Sequence, residues 1–320
     1  MKFPKFIAHA DWGTDPKKRQ VATAELTVRG NYRVYSLAPA DPRGVADGDL
    51  RRGLHVPESS DGQVFAGFDF PIGIPRAYAK LVGVDHFTKL LPALGFPPWD
   101  RFFDVDESPS DISPYRPFYP ARPGGTSQAH LFDALGLARS ELRRRCEGTD
   151  AETMFWTLGG KQVGKAALAG WRYLMTAAPP GSCRLWPFEG PLDALLDGRG
   201  DVVVAETYPR EFYQHIKPPN SPPGPWSKRR RLDRLQWMPQ LLLVAMGLGV
   251  DWDPDVQQRV ENGFSDGVNG EDEFDAMVGL LGMIGVVQEV LRAGVPRNDP
   301  AVETVEGWIL GRRATAQRGM

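Results

Sequence analysis

The chain has 320 residues, of which 42% are hydrophobic, so it can bury a sizeable core and is too apolar to be disordered throughout. Its formal net charge of −2 gives no overall attraction to nucleic acid or to an acidic membrane, so either partner would require a local basic patch. Its only two cysteines, Cys146 and Cys183, argue against a disulfide framework and against a zinc site built from thiolates.

The location expected from the sequence is the cytoplasm. No apolar run approaches the roughly 18 residues that a membrane span needs. The first residues, Met1 to Pro4, lack the apolar core of a signal peptide. Two cysteines without a pairing pattern also fit a reducing compartment. We therefore expect a cytoplasmic protein without a membrane partner.

The first part of the chain has the patterns of β-strands. Residues 6–11 form a short run of small and apolar side chains that ends in an acid, and residues 20–27 alternate between two kinds of side chain. The turn Gly30-Asn31 leads into a third strand at 32–37, which predicts an antiparallel hairpin. A buried strand is predicted at 64–69, where a proline-rich sequence stops it.

The remaining chain is mostly helical in pattern. Residues 97–123 are rich in proline, aromatic residues and acids, which indicates an ordered surface excursion. A third buried strand that ends in an acid is predicted at 201–206. This order predicts an α/β fold with a mixed sheet, an antiparallel hairpin unit plus parallel strands, flanked by helices. Helices are predicted at 47–55, 127–137, 138–146, 161–177, 227–247, 271–292 and 301–312.

Acidic residues recur where the predicted strands end. Asp11, Asp69 and Glu206 each close an apolar strand and are followed by turn residues. If the three strands run parallel side by side, their carboxylates converge at one edge of the sheet, where α/β proteins bind ligands. Asp272 and Asp275 stand three residues apart at the start of an apolar helix, so both project from one helix face.

Converging carboxylates are typical of a site for divalent metal ions. They repel one another, and hard oxygen ligands suit Mg²⁺ or Mn²⁺ better than zinc. Two such ions can activate a water and stabilise the leaving oxygen of a phosphodiester. The alternative is that each acid only caps a helix or forms a turn. The repetition of the pattern at three strand ends and one helix favours the metal site.

Five motifs resemble those of the DUF429 family, whose members are predicted ribonuclease-H-like nucleases. They are Asp11 on a first strand, GFDFPIGIP at 67–75, ETYPREF at 206–212, SKRRRLDRL at 227–235 and DEFDAM at 272–277. The resemblance touches the whole length in short motifs. It implies one ribonuclease-H-like domain over 1–320, with a mostly helical family-specific insertion at 97–200.

The resemblance also implies roles for individual acids. Asp11 corresponds to the metal aspartate of the first strand, and Asp69 to the acid on the fourth strand. Asp275, alone or with Asp272, corresponds to the acid of the C-terminal helix. Glu206 has the Glu-x-x-Pro setting of the family and is expected to assist in catalysis from the strand beyond the fourth.

A concentrated basic run lies at 228–231, near the start of a predicted helix. Lys228 and Arg231 are the candidates for contact with substrate phosphates, which would supply affinity without sequence information. A solvated helix face is the alternative interpretation. A second basic run at 143–145 has the same two interpretations.

Residues 159–166 offer a different function, because Gly159 to Lys165 satisfies the P-loop pattern Gly-x-x-x-x-Gly-Lys. A strand predicted at 153–158 would precede the loop, and a helix would follow it. Ala166, however, stands where a P-loop has the Ser or Thr that holds Mg²⁺. The same residues would also suit a Gly-rich helix start.

The sequence thus supports one main hypothesis and two alternatives. The main one is a Mg²⁺- or Mn²⁺-dependent nuclease, in which Asp11, Asp69, Asp272 and Asp275 bind metal and Asp11, Asp69, Glu206 and Asp275 are catalytic. Its partner would be nucleic acid or a nucleotide. The alternatives are a non-catalytic ribonuclease-H-like binding scaffold and, less favoured, a P-loop-like nucleotide-binding protein.

Overall fold

The computed structural model describes residues 3–148, 151–159, 163–177, 181–198, 202–219, 226–296 and 298–314. Within these ranges the strands are β1 Phe6–Asp11, β2 Gln20–Leu26, β3 Tyr32–Pro39, β4 Val64–Phe68, β5 Cys183–Leu185, β6 Val202–Glu206 and β7 Asp251–Trp252. They form one sheet in the order β5-β6-β4-β1-β2-β3-β7. The predicted α/β class with a mixed sheet is confirmed.

Parallel strands form the centre of the sheet. β1 pairs with β4, and β4 with β6, in parallel, which is the condition on which the acids at their ends were expected to converge. β2 runs antiparallel to both β1 and β3, which confirms the predicted hairpin. The edge strands β5 and β7 have only three and two residues, too few to show an alternating pattern, and sequence analysis missed them.

Helices cover both faces of the sheet. The predicted helices at 138–146 and 301–312 are wrong: the first region forms turns, and the second contains only a π-helical turn at Val302–Glu306. Gly307 ends that turn in the left-handed region with φ of 68°, and Ile309 then bridges to β6. The helices are α1 Pro42–Asp47, α2 Leu50–Gly53, α3 Arg76–Leu81, α4 Phe87–Leu90, α5 Gln128–Leu135, α6 Val163–Ala177, α7 Leu192–Leu195, α8 Pro209–Ile216, α9 Arg231–Gly247, α10 Pro254–Glu261 and α11 Gly267–Val287.

The sheet separates two hydrophobic cores. Ala8, Ala66 and Val204 point to one side, which we call the α6 face because α6 packs there. Ile7 and Phe65 point to the other side, the α11 face, where α8, α9 and α11 pack. Because successive side chains of a strand alternate between faces, the face of each strand residue follows from its position. None of the described helices is both long and apolar enough to cross a bilayer.

The described residues of the insertion predicted at 97–200 pack on both faces of the sheet: α6 and the segment before α5 lie on the α6 face, whereas Trp186 and α7 lie on the α11 face. The prediction that this insertion is mostly helical is wrong, because its described part contains only α5, α6, α7 and β5 and otherwise consists mainly of turns. Phe102 stacks on Trp171 of α6 with ring centroids 5.9 Å apart, and the indole N–H of Trp171 donates to the carbonyl of Pro71 at 2.7 Å. The insertion therefore braces the chain just beyond Asp69.

The long helix α11 lies close to the sheet because it carries glycines on its inner side. A methyl group at Gly279 would fall well inside van der Waals contact of the His9 ring, and one at Gly282 would overlap the ring of Phe212. This close approach brings the first turns of α11 to the carboxyl ends of β1 and β4.

We predict that Gly279→Ala lowers the free energy of unfolding by about 1–3 kcal/mol, because the added methyl group pushes α11 away from His9. Urea unfolding followed by circular dichroism measures the change. Gly247→Ala, also helical but with open space around it, is the control and should be neutral or gain up to about 1 kcal/mol. Equal stabilities of the two variants would contradict the close packing at Gly279.

Candidate active site

Two of the acids stand side by side at the carboxyl ends of neighbouring strands. Asp11 is the last residue of β1, and Asp69 directly follows β4. The backbone N–H of Asp69 donates to the carbonyl of Ala10 at 3.1 Å, so the parallel pairing continues up to both acids. Strand alternation places both side chains on the α11 face, like Ile7 and Phe65.

Helix α11 brings two further aspartates to the same place. The carboxyl group of Asp272 lies beside that of Asp11, close enough for the two groups to share a proton. The carboxylate of Asp275 is only 4% exposed. It accepts a hydrogen bond from the hydroxyl of Tyr213 and forms an ion pair with the ammonium of Lys228. Three separate parts of the chain thus assemble four aspartates, as the sequence predicted for Asp11, Asp69, Asp272 and Asp275.

Burial and neighbouring carboxylates raise the pKa of all four aspartates. Burial, and then repulsion from Asp275, Asp69 and Asp272, raises the pKa of Asp11 well above its usual value. Burial and the charge of Asp275 raise the pKa of Asp69 to about 7. Burial and the charges of Glu271 and Asp275 raise that of Asp272 to about 6. Ionising all four together is therefore unfavourable without a cation.

Lys228 supplies positive charge to the whole cluster. Its ammonium lowers the pKa of each of the four aspartates against the effect of burial. Burial alone would lower the pKa of Lys228, but the carboxylates of Asp275, Asp11 and Glu271 raise it above its usual value. Lys228 therefore stays charged at neutral pH, and its predicted place beside the acids is observed.

Glu206 points to the opposite face of the sheet. It lies two residues after Val204, so strand alternation directs its side chain to the α6 face. There its two oxygens accept hydrogen bonds of 2.6 Å from the guanidinium of Arg144, and one also accepts the backbone N–H of Ile72 at 2.7 Å. Of the three strand-end acids expected to converge, only Asp11 and Asp69 do so, and Glu206 has a buried ion pair instead.

Two residues near the cluster, Thr207 and Tyr213, were not assigned a role from the sequence. Thr207 follows Glu206 and faces the α11 side, where its hydroxyl lies 2.8 Å from Nε2 of His9. Burial lowers the pKa of His9 to about 3, so the ring is neutral. Tyr213 projects from α8 to Asp275. Strand alternation continued past β6 would have placed Thr207 on the α11 face, but no sequence pattern indicates that Tyr213 contacts Asp275.

Two adjoining cavities open beside the aspartates. The first has a volume of about 510 Å³ and is lined by Asp69 and Asp275. The second has a volume of about 650 Å³ and is also lined by Asp69. Asp69, Tyr208 and Arg210 line both. These volumes fall in the range of small-molecule sites. The first cavity is further lined by Tyr213, Trp226, Lys228 and Arg229.

The other basic residues of the predicted runs have structural contacts. Arg231 donates to the carbonyl of Asn262 at 2.7 Å and lies 3.5 Å from Asp266, so the structure does not bring it to the aspartates. Arg145 pairs with Asp299, and Arg144 with Glu206. The run at 143–145 therefore contributes to internal ion pairs rather than to a phosphate-binding surface.

The P-loop pattern has a packing explanation. Residues 153–158 form turns with a single bridge at Trp156, so the predicted strand is absent there. A methyl group at Gly164 would overlap the carbonyl oxygen of Trp156, which requires glycine at this point of α6. Residues 160–162 of the motif lie outside the described residues.

The donor set of the cluster fits a hard divalent cation. It offers carboxylate oxygens from four side chains, and Oδ2 of Asp272 is buried without a hydrogen-bond partner. In the described part of the chain, no three His, Cys, Asp or Glu side chains stand as a ready-made metal site. The contacts of Lys228 with Asp275 and of Asp11 with Asp272 occupy oxygens that such an ion would need.

Comparisons with known proteins add no relative to this description. No protein-family model, no curated protein and no solved structure matches the chain. The link to the DUF429 family therefore stays a resemblance of short motifs. The functional proposal depends on the geometry and electrostatics of the aspartates.

The raised pKa of Asp69 predicts that stability falls with rising pH. An unfolded aspartate has a pKa of about 3.9, so between about pH 4 and pH 7 the folded state holds a proton that the unfolded state has lost. With chelator present, Asp69→Asn should exceed the wild type by about 1–2 kcal/mol at pH 8, a figure reduced because Asp69 is partly exposed.

The advantage of Asp69→Asn should vanish below about pH 3, where the carboxyl is protonated in both states. Urea unfolding at several pH values measures it. Asp85→Asn is the matched control, because a hydrogen bond from Lys89 lowers the pKa of Asp85 on the surface, and it should show no gain at pH 8. A loss of stability in Asp69→Asn at pH 8 would contradict the repulsion within the cluster.

Proposed function

We propose that this protein is a divalent-metal-dependent nuclease, a hydrolase of phosphodiester bonds that uses Mg²⁺ or Mn²⁺. The observation that carries the proposal is the convergence of Asp11, Asp69, Asp272 and Asp275 from two strands and one helix. A fold gains no stability from four like charges in a poorly solvated place, so their assembly favours a functional explanation.

The ribonuclease-H-like fold is part of this proposal. Two features support it: the strand order β3-β2-β1-β4-β6 with β2 antiparallel, and a C-terminal helix packed across β1 with acids in its first turns. Asp11 and Asp69 then occupy the first and fourth strands of the motif, as the resemblance to the DUF429 family implied. Fold by itself does not determine activity, so the aspartates carry the functional claim.

The proposed roles follow from the contacts. Asp11 and Asp69 would hold metal from the sheet, and Asp272 and Asp275 from α11. The bound ions would supply a water of lowered pKa and positive charge for the leaving oxygen. Tyr213 fixes the orientation of Asp275 through its hydroxyl. Glu206 acts at a distance, because its ion pair with Arg144 anchors the end of β6 next to Asp69.

The proposed substrate is a nucleic acid or a nucleotide. The cavity that contains Asp69 and Asp275 is lined by the aromatic rings of Tyr208 and Trp226 and by the cations Lys228 and Arg229. Rings provide stacking surfaces for bases, and cations bind phosphates without regard to sequence. The overall charge of −2 makes this local arrangement the site of any attraction to a polyanion.

A non-catalytic scaffold is the rival that the experiment must separate. One observation favours it: Lys228 already neutralises part of the cluster, as a purely structural ion pair would. A scaffold of this kind retains the fold and its cavities but has no use for a divalent cation. Metal affinity therefore distinguishes the two functions.

We predict that the wild type binds Mn²⁺ in isothermal titration calorimetry and that Asp11→Asn weakens this binding at least about tenfold, since a hard ligand is lost. With Mn²⁺ present, the same variant should lose about 100-fold or more of the cleavage of DNA or RNA oligonucleotides. Asp85→Asn, on the surface, should match the wild type in both measurements.

Glu206→Gln provides a second comparison, because its side chain lies on the α6 face. It should keep the Mn²⁺ affinity while losing thermal stability, since the buried guanidinium of Arg144 loses one of its two carboxylate partners, Glu206 and Glu147. Absence of Mn²⁺ binding by the wild type, with and without oligonucleotide, would favour the scaffold and refute the nuclease.

A further inference from the structure

Lys228 is held in place by a built structure rather than by its ion pair alone. Trp226, two residues earlier, stacks on Trp237 of α9 with ring centroids 4.0 Å apart. The backbone N–H of Ser227 donates to the carboxylate of Asp233 at 2.8 Å. The guanidinium of Arg234, which is fully buried, donates to the carbonyl of Lys228. The turn that carries Lys228 is thus fastened to α9.

The same guanidinium also fastens this turn to the segment that leads into α11. Arg234 donates to the carbonyls of Gly263 at 2.9 Å and Ser265 at 2.6 Å. The carbonyls of Lys228 and of the residues before α11 therefore share one buried cation. As a result, the lysine turn and the helix that carries Asp272 and Asp275 keep a fixed separation.

The ammonium of Lys228 lies at the wall of the cavity that reaches Asp69 and Asp275. It contacts Oδ2 of Asp275 and lies 3.2 Å from Glu271, and the side chain is 34% exposed on the wall of the cavity that contains Asp69. Its neighbour Arg229 is 81% exposed and pairs at 3.2 Å with Glu271 rather than with Asp275. The two residues therefore carry the same charge at different distances from the cluster.

We propose that Lys228 is a resident cation of the aspartate cluster that competes with divalent metal for Asp275. When Asp275 binds a metal ion, the ammonium must leave Oδ2, and the cavity beside it offers the space. The released ammonium then faces the position of a bound phosphate. Lys228 thus stabilises the metal-free protein and sets the metal concentration at which the site fills.

This inference rests on the proposed metal site but adds a separate claim about affinity. Removing a charge-assisted hydrogen bond from Asp275 removes a competitor, so metal should bind more tightly without Lys228. A lysine that merely helped to hold the metal-binding geometry would have the opposite effect. The sign of the change in affinity therefore decides between competition and support.

The test compares Mn²⁺ titrations of the full-length wild type, Lys228→Met and Arg229→Met at about pH 8, above the pKa near 7 of Asp69. Lys228→Met should bind Mn²⁺ about tenfold more tightly than the wild type, and Arg229→Met should differ less than about threefold. Without metal, Lys228→Met should melt at a lower temperature than Arg229→Met, and Mn²⁺ should raise its melting temperature by more.

The outcomes separate this inference from the nuclease proposal. Equal or weaker Mn²⁺ binding by Lys228→Met, beside normal binding by the wild type, would overturn the competition and leave the metal site intact. Binding by Lys228→Met alone would support the competition in its strongest form. No binding by any of the three proteins would overturn both proposals. Lys228→Gln, shorter and polar, replaces the methionine variant if circular dichroism shows that the latter is unfolded.

Discussion

Asp11, Asp69, Asp272 and Asp275 repel one another in a space that water reaches poorly, and the folded state must offset this repulsion. Several features of the structure do so or follow from it. Helix α11 can bring its two aspartates to the sheet only because Gly279 allows it to pack against the ring of His9. Partial protonation and an ammonium ion lower the charge of the cluster, and a divalent cation would lower it further.

The acids on the two faces of the sheet have different environments. On the α11 face the strand ends carry aspartates whose negative charges are only partly neutralised. On the α6 face Glu206 and Arg144 form a bidentate buried pair, which is expensive to break and therefore fixes the end of β6. Neutralised ion pairs and aromatic packing thus hold rigid the framework on which the aspartates gather. A site with unfavourable internal energy needs such a framework, since otherwise the chain would relax and the charges would separate.

Much of this arrangement follows from the sequence. Apolar runs that end in an acid predicted three buried strands and, on the condition that these strands run parallel, the gathering of Asp11 and Asp69, because parallel strands share one carboxyl edge. The spacing of Asp272 and Asp275 predicted that one helix face would carry both. The position of Glu206 was mispredicted, although the necessary rule is simple. Glu206 pairs with Phe68, the residue before Asp69. Because successive residues of a strand face opposite sides, Glu206 faces the side opposite to Asp69. The contacts of Lys228, Arg144 and Tyr213 join residues far apart in the chain, and no local pattern specifies such pairs.

The most direct test of the metal site is the anomalous diffraction of Mn²⁺ in crystals of the wild type soaked in manganese. A manganese peak within bonding distance of Asp11 and Asp69, with Lys228 withdrawn from Asp275, is the expected result. Well-diffracting soaked crystals that show no manganese at the cluster, with Lys228 still paired to Asp275, would contradict the proposed metal centre.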